Sequence, residues 1–276
     1  VQFLTLGMDR RRAEITGILG DVLAPAGVYE RSDVDVREKE GLEQRTGLLW
    51  GQEPPYQIEI RENERRFLVN VREGHKTGFY LDQRENRAQL TAWCRASDLE
   101  GDMLDAFAYS GAFATHALSS HLSRLTLVDS SGPSLDLARQ NIALNGRPGA
   151  PQADYVEGDV FTVLRSYRAE GRQFDLIVLD PPKLAQTRRD VEQAARAYKD
   201  INLLAFQLLR PGGLLFTFSC SGRVSADLFQ KIVFGALVDT GRQGQIVGQL
   251  AQGRDHPVAL TFPEGAYLKG LICRVV

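Results

Sequence analysis

The feature that most constrains the fold is a repeated alternation of short apolar runs and helical patterns, which begins near residue 102. Nearly continuous apolar runs are typical of parallel strands buried on both faces. These runs occupy residues 103–109, 124–129, 174–180 and 213–219, and the helical patterns occupy residues 112–121, 133–145, 160–170, 191–209 and 226–240. Repeated strand–helix units of this length predict an α/β fold with a doubly wound, Rossmann-like sheet.

The two ends of the chain have a different pattern. Residues 257–262 and 269–276 are predicted as strands without a helix between them, and so as an antiparallel hairpin at the edge of the sheet. Residues 56–60 and 66–71 alternate around Glu62-Asn63-Glu64, which predicts another hairpin, and residues 10–23 fit a short helix. We therefore expect a small α+β domain at residues 1–75 and a catalytic domain at residues 76–276.

Composition excludes several classes of protein. With 276 residues, 43% hydrophobic and 25% charged, the chain is not a disordered tail, a collagen-like fibre or a disulfide scaffold. A net charge of -2 gives no sign of non-specific coating of nucleic acid. No apolar run approaches the roughly 20 residues that span a bilayer. Cys94, Cys220 and Cys273 are far apart and lack metal-ligand spacing, so we predict free thiols, no metal and a cytoplasmic location.

Acidic residues end three successive strands. Asp105 precedes a turn of small residues, Asp129 ends the next strand, and Asp159 follows the third. A single acid at such a position more often caps the following helix. Three of them at the carboxyl edge, where α/β folds bind ligands, favour a ribose and an adenine. Because the G-x-G-x-x-G pyrophosphate fingerprint is missing, the predicted ligand is S-adenosylmethionine.

The loops after two later strands contain further candidate functional residues. Asp180-Pro181-Pro182-Lys183 forms a stiff loop that fits the polar edge of a nucleobase, and the alternative is a rigid strand exit without a ligand. Cys220, in Ser219-Cys220-Ser221-Gly222, lies at the same edge and is a candidate nucleophile if a cation such as Lys183 lowers its pKa. The alternative is a small buried hydrophobe, which is our interpretation of Cys94 and Cys273.

Two further segments are candidates for contact with a ligand. Residues 74–84 place glycines around polar and aromatic side chains, which is typical of a loop that folds over a ligand, although a plain linker is the alternative. Within it, His75 is as readily structural as catalytic. Basic residues cluster beside the Asp180 loop, where they form either a solvated helix face or a surface that follows phosphates. They are Lys183, Arg188, Arg189, Arg196 and Lys199, with Arg165, Arg168 and Arg172 on the preceding helix.

Together these motifs resemble the class I S-adenosylmethionine-dependent methyltransferases, and most closely the ribosomal RNA large subunit methyltransferase I family. The resemblance runs from about residue 28 to the C-terminus. The phrases that carry it are YERSD at 29–33, HKTGFYLDQR at 75–84, residues 105–113, ARQN at 138–141, DPPK at 180–183, YKDIN at 198–202, FTFSCSG at 216–222, DHP at 255–257 and PEG at 263–265.

The resemblance implies methylation of C5 of a cytosine in 23S rRNA, and a homodimer. It makes Cys220 the nucleophile that adds to C6, with Asp180 orienting the base and Lys183 beside it. Many such enzymes carry a second cysteine next to their Asp-Pro motif. Here that loop holds Pro181, Pro182 and Lys183, so the base that removes the C5 proton is unassigned. The predicted cofactor site comprises Tyr80, Asp82, Gln83, Arg84, Asp105, Phe107, Ala108, Ser110, Gly111, Asp129, Ser130, Asp159, Val160 and Asp180.

Members of the family carry an N-terminal PUA-type RNA-binding domain before the YERSD phrase, whereas about 28 residues precede it here. We expect that residues 1–24 follow a lost domain of this kind. Three other functions compete with cytosine-C5 methylation. They are amino-group methylation of a nucleobase with Cys220 inert, a catalytically silent RNA-binding module with the same fold, and, more distantly, a nucleotide-dependent oxidoreductase.

Overall fold

The computed structural model describes residues 1–74, 78–97, 99–118, 121–185 and 187–276. Its helices are α1 (Leu6–Arg10), α2 (Arg12–Leu23), α3 (Arg84–Ala96), α4 (Ala112–Ala117), α5 (Gly132–Asn145), α6 (Val160–Ala169), α7 (Val191–Leu208) and α8 (Ala226–Asp239). Its strands are β1 (Gly27–Ser32), β2 (Arg45–Gly51), β3 (Ile58–Glu62), β4 (Arg65–Val69), β5 (Glu100–Ala106), β6 (His121–Asp129), β7 (Gln152–Glu157), β8 (Phe174–Leu179), β9 (Leu209–Ser219), β10 (Gly244–Ala251) and β11 (Lys269–Val275).

The central sheet has seven strands in the order β10-β11-β9-β8-β5-β6-β7. Strands β5 to β9 are parallel, and β11 runs antiparallel to both of its neighbours. The predicted doubly wound α/β fold is therefore confirmed. No helix in the described ranges combines the length and the apolar character needed to cross a membrane.

Neighbouring residues of the central strands enter different hydrophobic clusters. Leu104 and Ile177 belong to one cluster, whereas Met103 and Val178 belong to the other. Since successive side chains of a strand point to opposite faces, both faces of the sheet are covered. This is why the central strands have no polar alternation.

The hairpin at the sheet edge consists of β10 and β11, so the predicted first strand at residues 257–262 is wrong. Those residues form no strand, and Leu260 and Phe262 within them are exposed. Pro257 has no N–H for a ladder bond. Sequence reasoning missed β10 because it is only partly buried and lacks a continuous apolar run. The strand that the sequence implied before Asp159 is β7, which has no fully buried residue, so no apolar run marked its bounds.

The chain divides into two compact units, Val1–Ile60 with Leu68–Phe79, and Arg61–Phe67 with Tyr80–Val276. In the first unit, β1 pairs antiparallel with β2, and the predicted helix at residues 10–23 is interrupted at Arg11 between α1 and α2. The predicted hairpin near Asn63 is confirmed as β3 and β4, and its tip groups with the second unit. The domain division after residue 75 stays a prediction.

Candidate active site

The candidate site lies at the carboxyl edge of the central sheet, within the second unit. From β5, strands β6 and β7 lie to one side and β8 and β9 to the other, so the strand order reverses between β5 and β8. Doubly wound sheets bind ligands at this switch point. The segments that leave β5, β6, β8 and β9 carry the acids and the cysteine that the sequence singled out.

The turn between β5 and α4 has an unusual backbone. Phe107 and Tyr109 adopt positive φ values of 65° and 46°, and Gly111 follows at 70°. The Ala108 N–H donates to the Val128 carbonyl at 3.0 Å, which ties the turn to the end of β6. The alternation of left-handed and ordinary residues folds the chain tightly before α4 begins.

Asp105 is buried at the end of β5 and faces the first turn of α4. Its Oδ2 accepts the Ala114 N–H at 3.1 Å. Burial raises the pKa of Asp105 well above its usual value, and the charges of Asp180 and Asp129 raise it further while the Ala114 bond opposes the rise. This carboxyl group therefore supports the helix, and its contact with a cofactor stays a prediction.

Asp129 ends β6 and organises the turn beside it. Its Oδ2 accepts the Tyr109 N–H at 2.8 Å, and its Oδ1 accepts the Ser131 N–H at 2.9 Å. Each carboxylate oxygen keeps a second lone pair, so both can still accept a ribose hydroxyl as predicted. Ser130, the next residue, is exposed.

Asp159 caps the helix that follows it, which is the alternative that the sequence offered for a strand-end acid. Its Oδ1 accepts the N–H and the hydroxyl of Thr162, at 2.9 and 2.8 Å, as the N-cap of α6. Val160 is buried behind it. The predicted contact of Asp159 with adenine stays a prediction.

The segment that leads into α3 brings Tyr80 and Asp82 to the site. Tyr80 packs edge-to-face on Tyr109, with ring centroids 5.5 Å apart. Burial raises the pKa of Tyr80, and the charge of Asp180 adds to the rise, so this phenol stays neutral. Asp82 is buried, and its Oδ2 accepts the Tyr267 hydroxyl at 2.6 Å.

Gln83 and Arg84, which follow, have different partners. The Gln83 side chain donates from Nε2 to Asp180 Oδ2 at 3.0 Å, and its Oε1 accepts from Asn86 Nδ2 at 2.5 Å. Gln83 therefore positions the Asp180 carboxylate. Arg84 pairs with Glu85 at 2.9 Å and with Asp255 at 3.3 Å, so two carboxylates already neutralise its charge.

Two buried oxygens at this site are available to a polar ligand. Within the described residues, Ser110 Oγ and Asp82 Oδ1 are buried and have no hydrogen-bond partner. Buried polar atoms in folded proteins are normally paired. Both oxygens belong to segments that the sequence assigned to cofactor binding, and both can accept from the hydroxyl or amino groups of a nucleoside.

Cys220 and the Asp180 loop lie side by side. The Cys220 Sγ is 3.9 Å from the Pro181 carbonyl oxygen. Cys220 is half-buried, whereas Cys94 and Cys273 are buried, and burial raises the pKa of both other thiols to about 12. Of the three free thiols, Cys220 therefore has the surroundings of a reactive group.

A buried hydroxyl network supports the chain around Cys220. The Tyr198 hydroxyl lies 2.9 Å from Ser219 Oγ and 3.1 Å from Ser221 Oγ. Ser221 Oγ also accepts the Ala185 N–H at 3.1 Å, which joins the loop after β9 to the loop after β8. These contacts hold the cysteine between two rigid neighbours.

Sequence reasoning missed Tyr267 and Lys269. Lys269 Nζ donates to the carbonyls of Ser221 and Val224, both at 2.7 Å. A cavity of about 470 Å³ lies here, lined by Gly222, Val224 and Lys269. Because β11 is antiparallel to β9, its first residue lies at the carboxyl edge of β9, and the sequence alone gave no signal of this register.

The remaining predicted residues have simpler positions. Lys183 is exposed. In the basic cluster, three members pair with carboxylates, which lowers the local surplus of positive charge; the pairs are Arg165–Asp200, Arg196–Glu192 and Lys199–Asp239. His75 and the side chain of Arg188 lie outside the described residues. Among the residues that are described, no group of three His, Cys, Asp or Glu side chains suits a metal ion.

Comparison with solved structures supports the fold. A crystal structure of a methyltransferase complexed with SAH superposes with a TM-score of 0.83 at 23% identity, over 99% of this chain and 68% of that one. A SAM-dependent methyltransferase from Streptococcus mutans gives a TM-score of 0.82 at 23% identity, with the same coverage. These likenesses concern the fold alone.

Comparison with protein sequences identifies the family. The family model described as S-adenosylmethionine-dependent methyltransferase matches residues 42–233. Ribosomal RNA large subunit methyltransferase I of Alteromonas mediterranea is 46% identical over 275 residues, covering 100% of this chain and 68% of the relative. The protein of that name from Shewanella amazonensis is 48% identical over 274 residues, covering 99% and 68%. The chain therefore belongs to the S-adenosylmethionine-dependent methyltransferases and, within them, to the ribosomal RNA large subunit methyltransferase I family.

Proposed function

We propose that the chain methylates C5 of a cytosine in large-subunit ribosomal RNA and that Cys220 is the nucleophile. The observation that carries the proposal is the 3.9 Å contact between Cys220 Sγ and the Pro181 carbonyl. It places a half-buried thiol directly beside the loop that holds Asp180. The relatives named above are large-subunit rRNA methyltransferases, which supports the choice of substrate.

Each side chain then has a defined task. The Cys220 thiolate forms a bond to C6 of cytosine, and the electron pair of the C5–C6 double bond moves toward C5. Asp180, held by the Gln83 amide at 3.0 Å, accepts a hydrogen bond from the exocyclic amine and fixes the base. When bound, S-adenosylmethionine would supply an electrophilic methyl group to C5, and the bond between that methyl group and the sulfonium sulfur would break to leave S-adenosylhomocysteine. Loss of the C5 proton then returns the electron pair to the ring as the bond between Sγ and C6 breaks.

The assigned cofactor residues fit this reaction. Asp129 and Asp82 have carboxylate oxygens that can accept from a nucleoside, and the Ser110 hydroxyl has no other partner within the described residues. The base that removes the C5 proton stays unassigned. A cytoplasmic location, a homodimer and the catalytic role of Lys183 stay predictions.

Substitution of the nucleophile tests the proposal. We expect Cys220→Ala to lower formation of 5-methylcytosine by on the order of 10³-fold or more, because the variant lacks the thiol that forms the bond to C6. The readout is nucleoside mass spectrometry of large-subunit rRNA incubated with enzyme and S-adenosylmethionine. Cys94→Ala is the matched control, since its thiol lies in the core.

The products distinguish the competing functions. Full activity of Cys220→Ala with an N-methylated base would replace the proposal with amino-group methylation. If the RNA remains unmodified after incubation with the wild-type enzyme, and calorimetry detects no binding of S-adenosylmethionine, the silent RNA-binding module is favoured.

A further inference from the structure

We propose that the Lys269 ammonium stabilises the thiolate of Cys220 and holds the loop that carries it. Lys269 is thus a positioning residue for the nucleophile. The inference rests on the proposed function of Cys220, and nothing in the sequence motifs pointed to this lysine.

The register of the sheet brings Lys269 to the nucleophile. Lys269 is the first residue of β11, and its Cα partner on β9 is Ser219, the residue before Cys220. From there its Nζ donates to the carbonyls of Ser221 and Val224, both at 2.7 Å. Two of its three N–H groups therefore hold the turn that begins directly after the cysteine.

The charge of Lys269 is not neutralised by an acid. In the part of the chain that the structure describes, no carboxylate forms an ion pair with it, whereas Lys199 and Lys231 pair with carboxylates at 2.7 and 2.8 Å. A half-buried ammonium held only by carbonyls is stabilised by a nearby anion. Lys269 Nζ donates to the carbonyl of Ser221, the residue after Cys220, so a Cys220 thiolate is an anion close enough to stabilise this charge.

Electrostatic coupling between two groups is reciprocal. Burial lowers the pKa of Lys269 to about 8, and the negative charge of Cys220 opposes that shift. Through the same interaction, the ammonium favours the thiolate form of Cys220. The effect is present while Lys269 is protonated, below about pH 8, and is lost above it.

The other groups around the thiol do not provide this stabilisation. Among the described residues, other ionisable groups that interact with Cys220 are Tyr80, Tyr198 and Tyr267, and Asp180 lies in the adjoining loop. The three phenols have a raised pKa, chiefly through burial, and stay neutral, while the charge of Asp180 disfavours a thiolate. Within the described residues, Lys269 is therefore a cation that is placed to offset Asp180.

The test is the pH profile of alkylation of the Cys220 thiol by iodoacetamide in the full chain, followed by mass spectrometry of the Cys220 peptide. In Lys269→Met we expect the midpoint to rise by about one pH unit, so that alkylation at pH 7 slows about tenfold. Lys269→Arg keeps the charge and should keep the wild-type midpoint. Lys231→Met, on the surface of α8, is the matched control and should leave the profile unchanged.

Folding of each variant is checked by circular dichroism. Lys269→Gln, which keeps an amide donor for the loop, replaces Lys269→Met if that variant does not fold. An unchanged midpoint in a folded Met or Gln variant overturns the inference, and so does an Arg variant that shifts as far as Met. The proposed function fails in a different experiment, if Cys220→Ala still forms 5-methylcytosine. Failure of the proposed function and failure of the inference about Lys269 are therefore distinguishable.

Discussion

At the scale of single residues, Asp129 is the side chain that holds the turn between β5 and α4. Tyr109 has a φ of 46°, a left-handed conformation that costs about 1 kcal/mol or more for a residue with a Cβ. The Tyr109 N–H donates to the Asp129 carboxylate at 2.8 Å, which stabilises that conformation. The same carboxylate is a candidate acceptor for the ribose hydroxyls.

We therefore expect Asp129→Ala to weaken binding of S-adenosylmethionine by about tenfold or more, because it removes two acceptors and loosens the turn. Isothermal titration calorimetry measures the change. Asp154→Ala, which removes an exposed partner of Arg124, is the control. Equal affinities in the two variants would remove Asp129 from the cofactor site.

Gly111 permits a close approach between the same turn and α5. It has a φ of 70°, and a Cβ on it would lie 2.8 Å from the Ala138 Cβ. Gly171 has a φ of 69° but has no atom within 4 Å of such a Cβ. The pair separates the effect of backbone conformation from that of contact.

We expect Gly111→Ala to lower the free energy of unfolding by about 1 to 3 kcal/mol more than Gly171→Ala, since only the first adds a steric overlap. Urea denaturation of both variants measures the difference. Equal losses in the two variants would mean that α5 moves away from the turn without strain.

At the scale of elements, a buried charge cluster joins β3, α3 and α4 within the second unit. Arg87 forms a two-point ion pair with Glu62, at 2.6 and 2.7 Å, and His116 Nε2 lies 3.3 Å from the same carboxylate. Arg87 also donates to the Tyr80 carbonyl at 2.9 Å. The cluster therefore supports the segment that brings Tyr80 to the candidate site.

The cluster predicts a loss of stability in acid. Burial lowers the pKa of His116 below 6.5, although Glu62 opposes the shift, so the unfolded chain binds a proton at a pH where the folded chain does not. The free energy of unfolding should fall as the pH drops below about 6.5, by at most about 1.4 kcal/mol per unit. Burial raises the pKa of Glu62, but bonds from His116 and Arg87 outweigh it, and a second loss should begin below about 4.5.

His116→Gln isolates the first of these losses. The glutamine amide can still donate to Glu62 but does not titrate, so the variant should have a flatter stability profile between pH 7 and 5.5. Urea denaturation at several pH values measures both profiles. Identical slopes for the variant and the wild type would show that another group takes up the proton.

At the scale of the whole molecule, the net charge of -2 conceals how the charges are placed. Acids gather at the ends of the central strands. Several of the basic residues beside the Asp180 loop pair with neighbouring carboxylates, so the described part of this surface is less positive than the sequence indicated.

Binding of the cofactor should stabilise the whole chain. At 100 times its dissociation constant, a ligand that binds only the folded state adds about 2.7 kcal/mol. We expect S-adenosylmethionine to raise the melting temperature by several degrees, on the order of 5 °C, in a thermal-shift experiment. NAD is the control ligand and should give no shift, because the dinucleotide fingerprint is missing. A shift with NAD alone would favour the oxidoreductase.

Sequence alone was enough to predict the α/β class, the central parallel strands and the three strand-end acids, because these depend on local patterns. A continuous apolar run marks a strand buried on both faces wherever it pairs. The residues at its carboxyl end then lie at the edge where such folds bind ligands. The prominence of Asp129, Asp180 and Cys220 follows from this rule.

Only the tertiary structure decided which distant residues meet. The pairing of β11 with β9 brings Lys269 to the loop after Cys220, and the contact of Gln83 with Asp180 joins residues 97 positions apart. Asp159 caps α6, a local choice that the sequence left open. Strand order and register depend on contacts between segments far apart in the chain. No local period encodes them, which is why the positions of the strand-end acids and of Cys220 were predictable and the residues that contact them were not.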